Sequence, residues 1–268
     1  MKDVKDVKDL KKVRMQDLTW VEVEQRMKAD VTVLVPFGSQ EQHGPHAPMG
    51  DFMICEAIAV AVAERTGAIV APVIAGGYSE YFKPYPGTIS LRSSTLGALL
   101  EDYVDCLVGQ GFTRIIFFNG HNGNLGTIDH TVRKIRAEKG LRIPSLSVIG
   151  FRTPELMKEL FPAGGIGHGG GAMMALFQHL DPTAGRPDLA ASGKLHDFHG
   201  LKVTGINTVD FKGFPVNIHF NYDEITDPSG IVGDGREATA AKGRQWFDLI
   251  VENASAFVEW SKGISWKD

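Results

Sequence analysis

Between residues 33 and 51 the chain reads VLVPFGSQEQHGPHAPMGD, an apolar run that turns into a loop carrying Glu41, His43, His46 and Asp51 within eleven residues. Carboxylates bridge and neutralise divalent ions, and imidazoles complete their shells, so this set matches what a two-metal hydrolytic centre needs. Glu41 and His43, two apart in an extended loop, can face different ions. Asp51 either bridges those ions or caps the helix that follows. A second loop, NGHNGN at 119–124, brings His121. It lacks the Lys and Ser/Thr of a nucleotide loop, so phosphate cradling is the weaker reading. His168 sits in GIGHGG (165–170), whose small residues let a substrate or another chain approach closely. That string formally fits G-x-G-x-x-G, but Pro162 and Ala163 precede it rather than a strand, which argues against a dinucleotide site. His130, His179, His196, His199 and His219 read as structural or surface residues, although His196 and His199 in HDFH can reach a site from an irregular segment.

The elements that must position these residues follow from periodicity. VTVLVP (31–36) is continuously apolar and β-branched, as a strand covered on both faces should be. Thr19 is an N-cap for the helix TWVEVEQRMKAD, and FMICEAIAVAVAERTG is a helix ending at Gly67. AIVAPV, TRIIFFNG and IPSLSVIGF read as further strands, with helices at STLGALLEDYVDCLVGQG and NLGTIDHTVRKIRAEKG. Strand and helix alternate four times in about 120 residues, which predicts a three-layer α/β/α fold with a mainly parallel central sheet. GGGAMMALFQHLDP adds a helix, residues 181–233 are irregular with short strands such as VNIHF, and a long helix closes the chain over about 236–261. With no linker and no repeat, residues 1–268 read as one domain, the charged opening at 1–14 forming a frayed arm or short surface helix. Ligands in such sheets bind beyond the carboxyl ends of the strands. The loops bearing Glu41 and His121 should therefore meet on one sheet edge.

Composition narrows the function class. Twenty-eight Lys and Arg against 32 Asp and Glu give a net charge of -4, so nothing attracts the chain to nucleic acid or an anionic membrane. No apolar run approaches the roughly 18 residues that span a bilayer, and the charged start is unlike a signal peptide, so the expected location is cytoplasmic. Cys55 and Cys106, each in an apolar helical segment, read as two buried free thiols.

PFGSQEQHGPHAPMGD, YPGTISL, FFNGHNGN, GHGGG before a helix, and DPSGIVGDGREATAAKGR are similar, in order and approximate spacing over roughly residues 15–250, to the creatininase (creatinine amidohydrolase) superfamily. The resemblance implies the α/β/α fold, a homo-oligomer (usually a hexamer), and two divalent ions, Zn2+ and/or Mn2+, acting on a small-molecule substrate. Carried over, Glu41 and His121 would hold one metal, His43 the other, and Asp51 would bridge. His168 would be the acid/base or a substrate contact, with Glu41 also in the catalytic set. Tyr78, Thr88 of the PGT turn at 86–88, His168 and Gly169 would contact substrate. The implied reaction is metal-dependent hydrolysis of a small cyclic amide. The alternatives are hydrolytic C–C opening of a cyclic polyol diketone such as 3-dehydro-scyllo-inosose, or a catalytically inert metal-binding relative.

Three departures from the family pattern bear on the site. HAPMGD is one residue short before Asp51, Gly123 stands where creatininases carry a metal-binding Glu, and Gly171 and Met173 replace the carboxylates after the reactive His. No Trp is near His168 in sequence. The second ion is thus expected to be short of a ligand, with Asp223 or Glu224 as replacements, and Gly123→Glu is expected to raise its occupancy.

Overall fold

The computed structural model describes residues 12–267. Most of the expected N-terminal arm lies outside the described residues. Its inner end is docked rather than frayed: Val13 is buried, Arg14 bridges to Val70, and the Arg14 guanidinium pairs with Glu56 at 2.6 Å.

Four parallel strands form the central sheet: β1 (Val33–Phe37), β2 (Ile69–Val70), β3 (Ile115–Asn119) and β4 (Ser145–Ser147), in the order β2-β1-β3-β4. Every residue of β1 and β3 is buried, which explains their unbroken apolar sequence. The chain moves from β1 to one side and then to the other, so the topological switch lies between β1 and β3, where open α/β sheets bind ligands. Their register pairs Phe37 with Asn119. Both strands therefore end together, and the Glu41 and His121 loops leave from adjacent points.

Side chains of β1 alternate between two cores. Leu34 packs with α2 (Asp51–Thr66), α6 (Gly171–Leu180) and α7 (Ala240–Ser261), through Ile58, Leu176 and Trp246 among others. Val33, Val35 and Phe37 face α3 (Ser93–Gln110) and α4 (Leu125–Lys139), meeting Leu100, Val104 and Ile128. Three layers result, as expected. α1 (Trp20–Lys28) begins with the capping box that Thr19 and Glu22 make. Three helices end on Gly67, Gly111 and Gly140, each in the left-handed region that an L side chain avoids.

Several boundaries differ from the sequence reading. β4 has three residues before a 3-10 turn takes over at Val148–Gly150, and α5 (Pro154–Leu160), capped by Thr153, has no counterpart in it. The closing helix starts at Ala240, where the Thr239 side chain accepts from Lys242 N. The segment read as irregular contains β5 (Ser192–Gly193), which pairs with β9 (Gly233–Asp234), and an antiparallel sheet of β6 (Val203–Gly205), β7 (Thr208–Phe211) and β8 (Phe214–Asn217). That sheet shares a third small core with Phe82 and Tyr222. Both cysteines are free, but Cys106 is exposed because it lies on the outward side of α3. Among the described residues no helix is long and apolar enough to cross a membrane.

Candidate metal centre

The loops beyond β1 and β3 converge as their register requires. His121 Nδ1 lies 3.3 Å from Glu41 Oε2 and 3.3 Å from Asp51 Oδ2. On the opposite side of the same carboxylate, Glu41 Oε1 lies 3.6 Å from His43 Nε2 and 3.9 Å from His168 Nδ1. Two donor groups emerge, Glu41/Asp51/His121 and Glu41/His43/His168, each with its ligand atoms within 4.8 Å of one another. Metal–ligand bonds of about 2.0–2.2 Å in a tetrahedral shell place donor atoms roughly 3.3–3.6 Å apart. The His121 and His43 spacings fall in that range, and the His168 spacing lies 0.3 Å beyond it.

Ring orientation supports the same fit. His121 Nε2 donates to the Tyr78 carbonyl at 2.9 Å, His43 Nδ1 to the Pro48 carbonyl at 3.0 Å, and His168 Nε2 to the Gln42 carbonyl at 2.7 Å. In the neutral form of each ring the hydrogen is committed to backbone, which leaves the nitrogen that faces Glu41 as the one available to an ion. Backbone carbonyls commonly fix metal-binding imidazoles in this way.

Burial and charge act together here. Burial works to raise the Glu41 carboxyl, but the charge and hydrogen bond of His121, with His43 and His168 behind it, hold it down to about 2. Burial pulls His121 down, yet Glu41 and Asp51 raise it to about 10. Asp51 is pushed up chiefly by burial. The metal-free site therefore keeps a proton on His121, between two carboxylates.

The supporting residues are largely ones the sequence reading passed over. Asn119 Nδ2 donates to the His121 carbonyl at 2.7 Å and its Oδ1 accepts from His121 N at 3.2 Å. Asn124 donates to the Gly38 carbonyl at 3.1 Å and accepts from Tyr78 N at 2.8 Å. NGHNGN is thus a clamp between strand ends, not a phosphate loop. Ser39 and Ser79 both donate to Glu41 Oε2, and Ser39 N donates to Asp51 Oδ1. Asp51 is the first residue of α2, with Gly50 as the cap.

Several expectations need correction. Glu41 is common to both donor groups, its two oxygens pointing to opposite sides, and Asp51 joins one of them. Asp223 and Glu224 are exposed and absent from both groups; Glu224 instead caps Asn221. His196 pairs with Asp227 at 3.0 Å, and none of His130, His179, His199 or His219 lines the cavity. A side chain at Gly123 has no room, since its Cβ would overlap His121 Nε2, the Tyr78 carbonyl and the Tyr81 hydroxyl. The expected gain from Gly123→Glu is withdrawn. His46, by contrast, is buried beside the site and belongs to neither group.

A cavity of about 310 Å³ opens over the donors, with His168 and Gly169 in its wall. Tyr78 and Thr88, expected there, do not line it: Tyr78 supplies its carbonyl to His121, and the Thr88 hydroxyl accepts from Gln42 N at 3.3 Å. The aromatic wall comes from Tyr81, Phe82, Tyr222 and Trp246. Phe82 stacks on His168 at 4.1 Å between centroids, and Tyr222 meets its edge at 5.0 Å. Tyr81 and Phe82 lie three and four residues past Tyr78, between it and the PGT turn. Tyr222 and Trp246 carry no local signal, because tertiary packing alone brings them in. No Trp is near His168 along the chain, yet Trp246 lines the same cavity.

Comparison with known proteins places the chain in a family. A mycofactocin precursor peptide peptidase of Mycobacterium ulcerans is 30% identical over 243 residues, 87% of this chain and 86% of its own length. A creatinine amidohydrolase of Pseudomonas putida is 34% identical over 192 residues, 63% and 74% respectively. A solved creatininase in its manganese form aligns with a TM-score of 0.76 at 27% identity, covering 94% of this chain and 99% of that one. The family model described as creatinine amidohydrolase matches residues 16–258. The chain belongs to the creatininase family.

Proposed function

We propose that the chain is a two-metal hydrolase that cleaves the C–N bond of an amide in a small substrate, a cyclic amide being the first class to test. The observation that carries this reading is the convergence of Glu41, His43, Asp51 and His121, with one ring nitrogen of each imidazole turned to the shared carboxylate. Those four residues would hold two divalent ions, Zn2+ or Mn2+. Such ions polarise a carbonyl and lower the pKa of water toward neutrality.

The chain's own groups do the rest. Phe82, Tyr222 and Trp246 would give the substrate an aromatic wall. His168, expected to donate a proton, has its ring hydrogen tied to Gln42, and burial, with the charge of His43, pushes it down to about 3. It has no free proton to give near neutrality. Tyr81 does: burial keeps its hydroxyl protonated, and it stands 3.3 Å from His121 Nε2, a nitrogen that already donates to Tyr78. Its hydrogen is free to reach the leaving nitrogen or the developing oxyanion.

A second reading, a short peptide as substrate, is favoured by Arg152. It is the one Lys or Arg among the residues lining the cavity, and no carboxylate pairs with it among the described residues. An unpaired guanidinium suits a substrate carboxylate. Assembly as a homo-oligomer, a hexamer by resemblance, belongs to the same proposal and is supported by exposed Phe211, Phe214 and Val216 on the β7–β8 hairpin. Incubating zinc- or manganese-loaded protein with lactams, formamides, free and amidated short peptides and an inosose diketone tests the reaction. A new amino group and carboxylate are expected, on one ring-opened product from a lactam or on two fragments from a peptide. Turnover of the diketone alone would replace C–N with C–C cleavage, and no turnover with two ions bound would mark an inert relative.

A further inference from the structure

We propose that His168 is the third protein ligand of the second ion, replacing the carboxylates that this sequence lacks at Gly123 and Met173. The inference rests on the two-metal reading above and assigns that ion Glu41, His43 and His168. Its first support is geometric equivalence. His168 presents Nδ1 to Glu41 Oε1 at 3.9 Å and commits Nε2 to a backbone carbonyl, the same arrangement that His43 makes with Pro48 and His121 with Tyr78. The carbonyl that orients His168 belongs to Gln42, the residue between Glu41 and His43. One short loop therefore supplies two ligands of the ion and aims the third.

The ring is also held in place. Phe82 stacks on one face, Tyr222 meets it edge-on, and the His168 carbonyl accepts from Val232 N at 2.8 Å. Gly169 follows with φ at 64°, and a Cβ there would lie 3.0 Å from the His43 carbonyl carbon. Only glycine lets the loop press this closely on the His43 backbone. A ring held in one direction suits a metal ligand, whose lone pair must point at the ion.

Among the described residues no carboxylate is placed to do the job instead. Gly123 has no space for a side chain, Met173 offers a thioether, and no other described acidic residue joins the donor group. With two neutral imidazoles and one shared carboxylate, the second ion keeps more of its positive charge than a carboxylate-rich shell would leave, which suits an anionic substrate group.

The test is metal content after dialysis of zinc-loaded protein against metal-free buffer, with cobalt-substituted protein read by visible absorption. Wild type should retain two ions, His168→Ala one, and His168→Asp, which restores a carboxylate, two. X-ray absorption on the zinc-loaded wild type gives a second reading that needs no variant: three imidazoles shared by two ions, instead of two. Retention of two ions and an unchanged cobalt spectrum in His168→Ala, or only two bound imidazoles in wild type, would overturn the assignment while leaving two-metal hydrolysis intact. A wild type that never takes up a second ion would overturn both.

Discussion

The two halves of the candidate metal centre are built differently. The Asp51/His121 half has two carboxylates, with every donor buried, and stands on the ends of adjacent sheet strands and the first turn of α2. The His43/His168 half has one carboxylate, and its last donor is 18% exposed on a glycine-rich loop more than a hundred residues further along the chain. The first half is fixed by sheet register. The second depends on how a loop seats against a wall of aromatic rings, and charge and exposure both make it the weaker holder of a cation.

Glu41→Gln strikes both halves at once and should have the largest effect. Loss of the shared charge should reduce metal content at both positions and lower turnover by about 10²–10⁴-fold, the usual worth of one catalytic group. Retention of both ions would mean that the two clusters do not share this residue. Graded chelation separates the halves: the His43/His168 ion should leave first, giving a plateau at one ion per chain by elemental analysis. Simultaneous loss would erase the proposed inequality.

Proton release sharpens the contrast. His121, raised to about 10, carries its proton on the metal-facing nitrogen at every pH below that value. An ion must displace that proton, so affinity on this side should rise about tenfold per pH unit between 6 and 9. Calorimetric titrations in buffers of different ionisation enthalpy should count about one proton released at neutral pH; none would show that His121 is not a ligand. The smallest change expected is in His46→Ala, where both ions should stay bound. His43→Ala should lose one ion together with activity. Equal losses in the two variants would overturn the choice between these neighbouring histidines.

Much of the first half was legible from sequence because its causes are local. An apolar strand must end somewhere, a parallel sheet puts such ends on one edge, and Glu41, Asp51 and His121 follow those ends within a few residues. The α/β/α layering came from the same strand–helix alternation. What stayed hidden depends on distant packing. That Glu41 faces both ways is set by side-chain direction, which spacing alone does not specify. Tyr222 and Trp246 reach the cavity through the small antiparallel sheet and α7, and the asparagines of NGHNGN looked like loop polarity until their hydrogen bonds tied β1 to β3.

Glu41 offers one oxygen to each side of the centre. Two cations that draw on a single carboxylate also repel one another, so each should bind less tightly once the other is present. Such a coupling is reciprocal: whatever factor the first ion takes from the second, the second takes from the first. Over a broad range of free metal the half-loaded form would then predominate. Full loading, and with it chemistry that needs both ions, would rise with metal supply more gradually than two independent sites allow, making catalytic output a graded readout of the metal available to the cell.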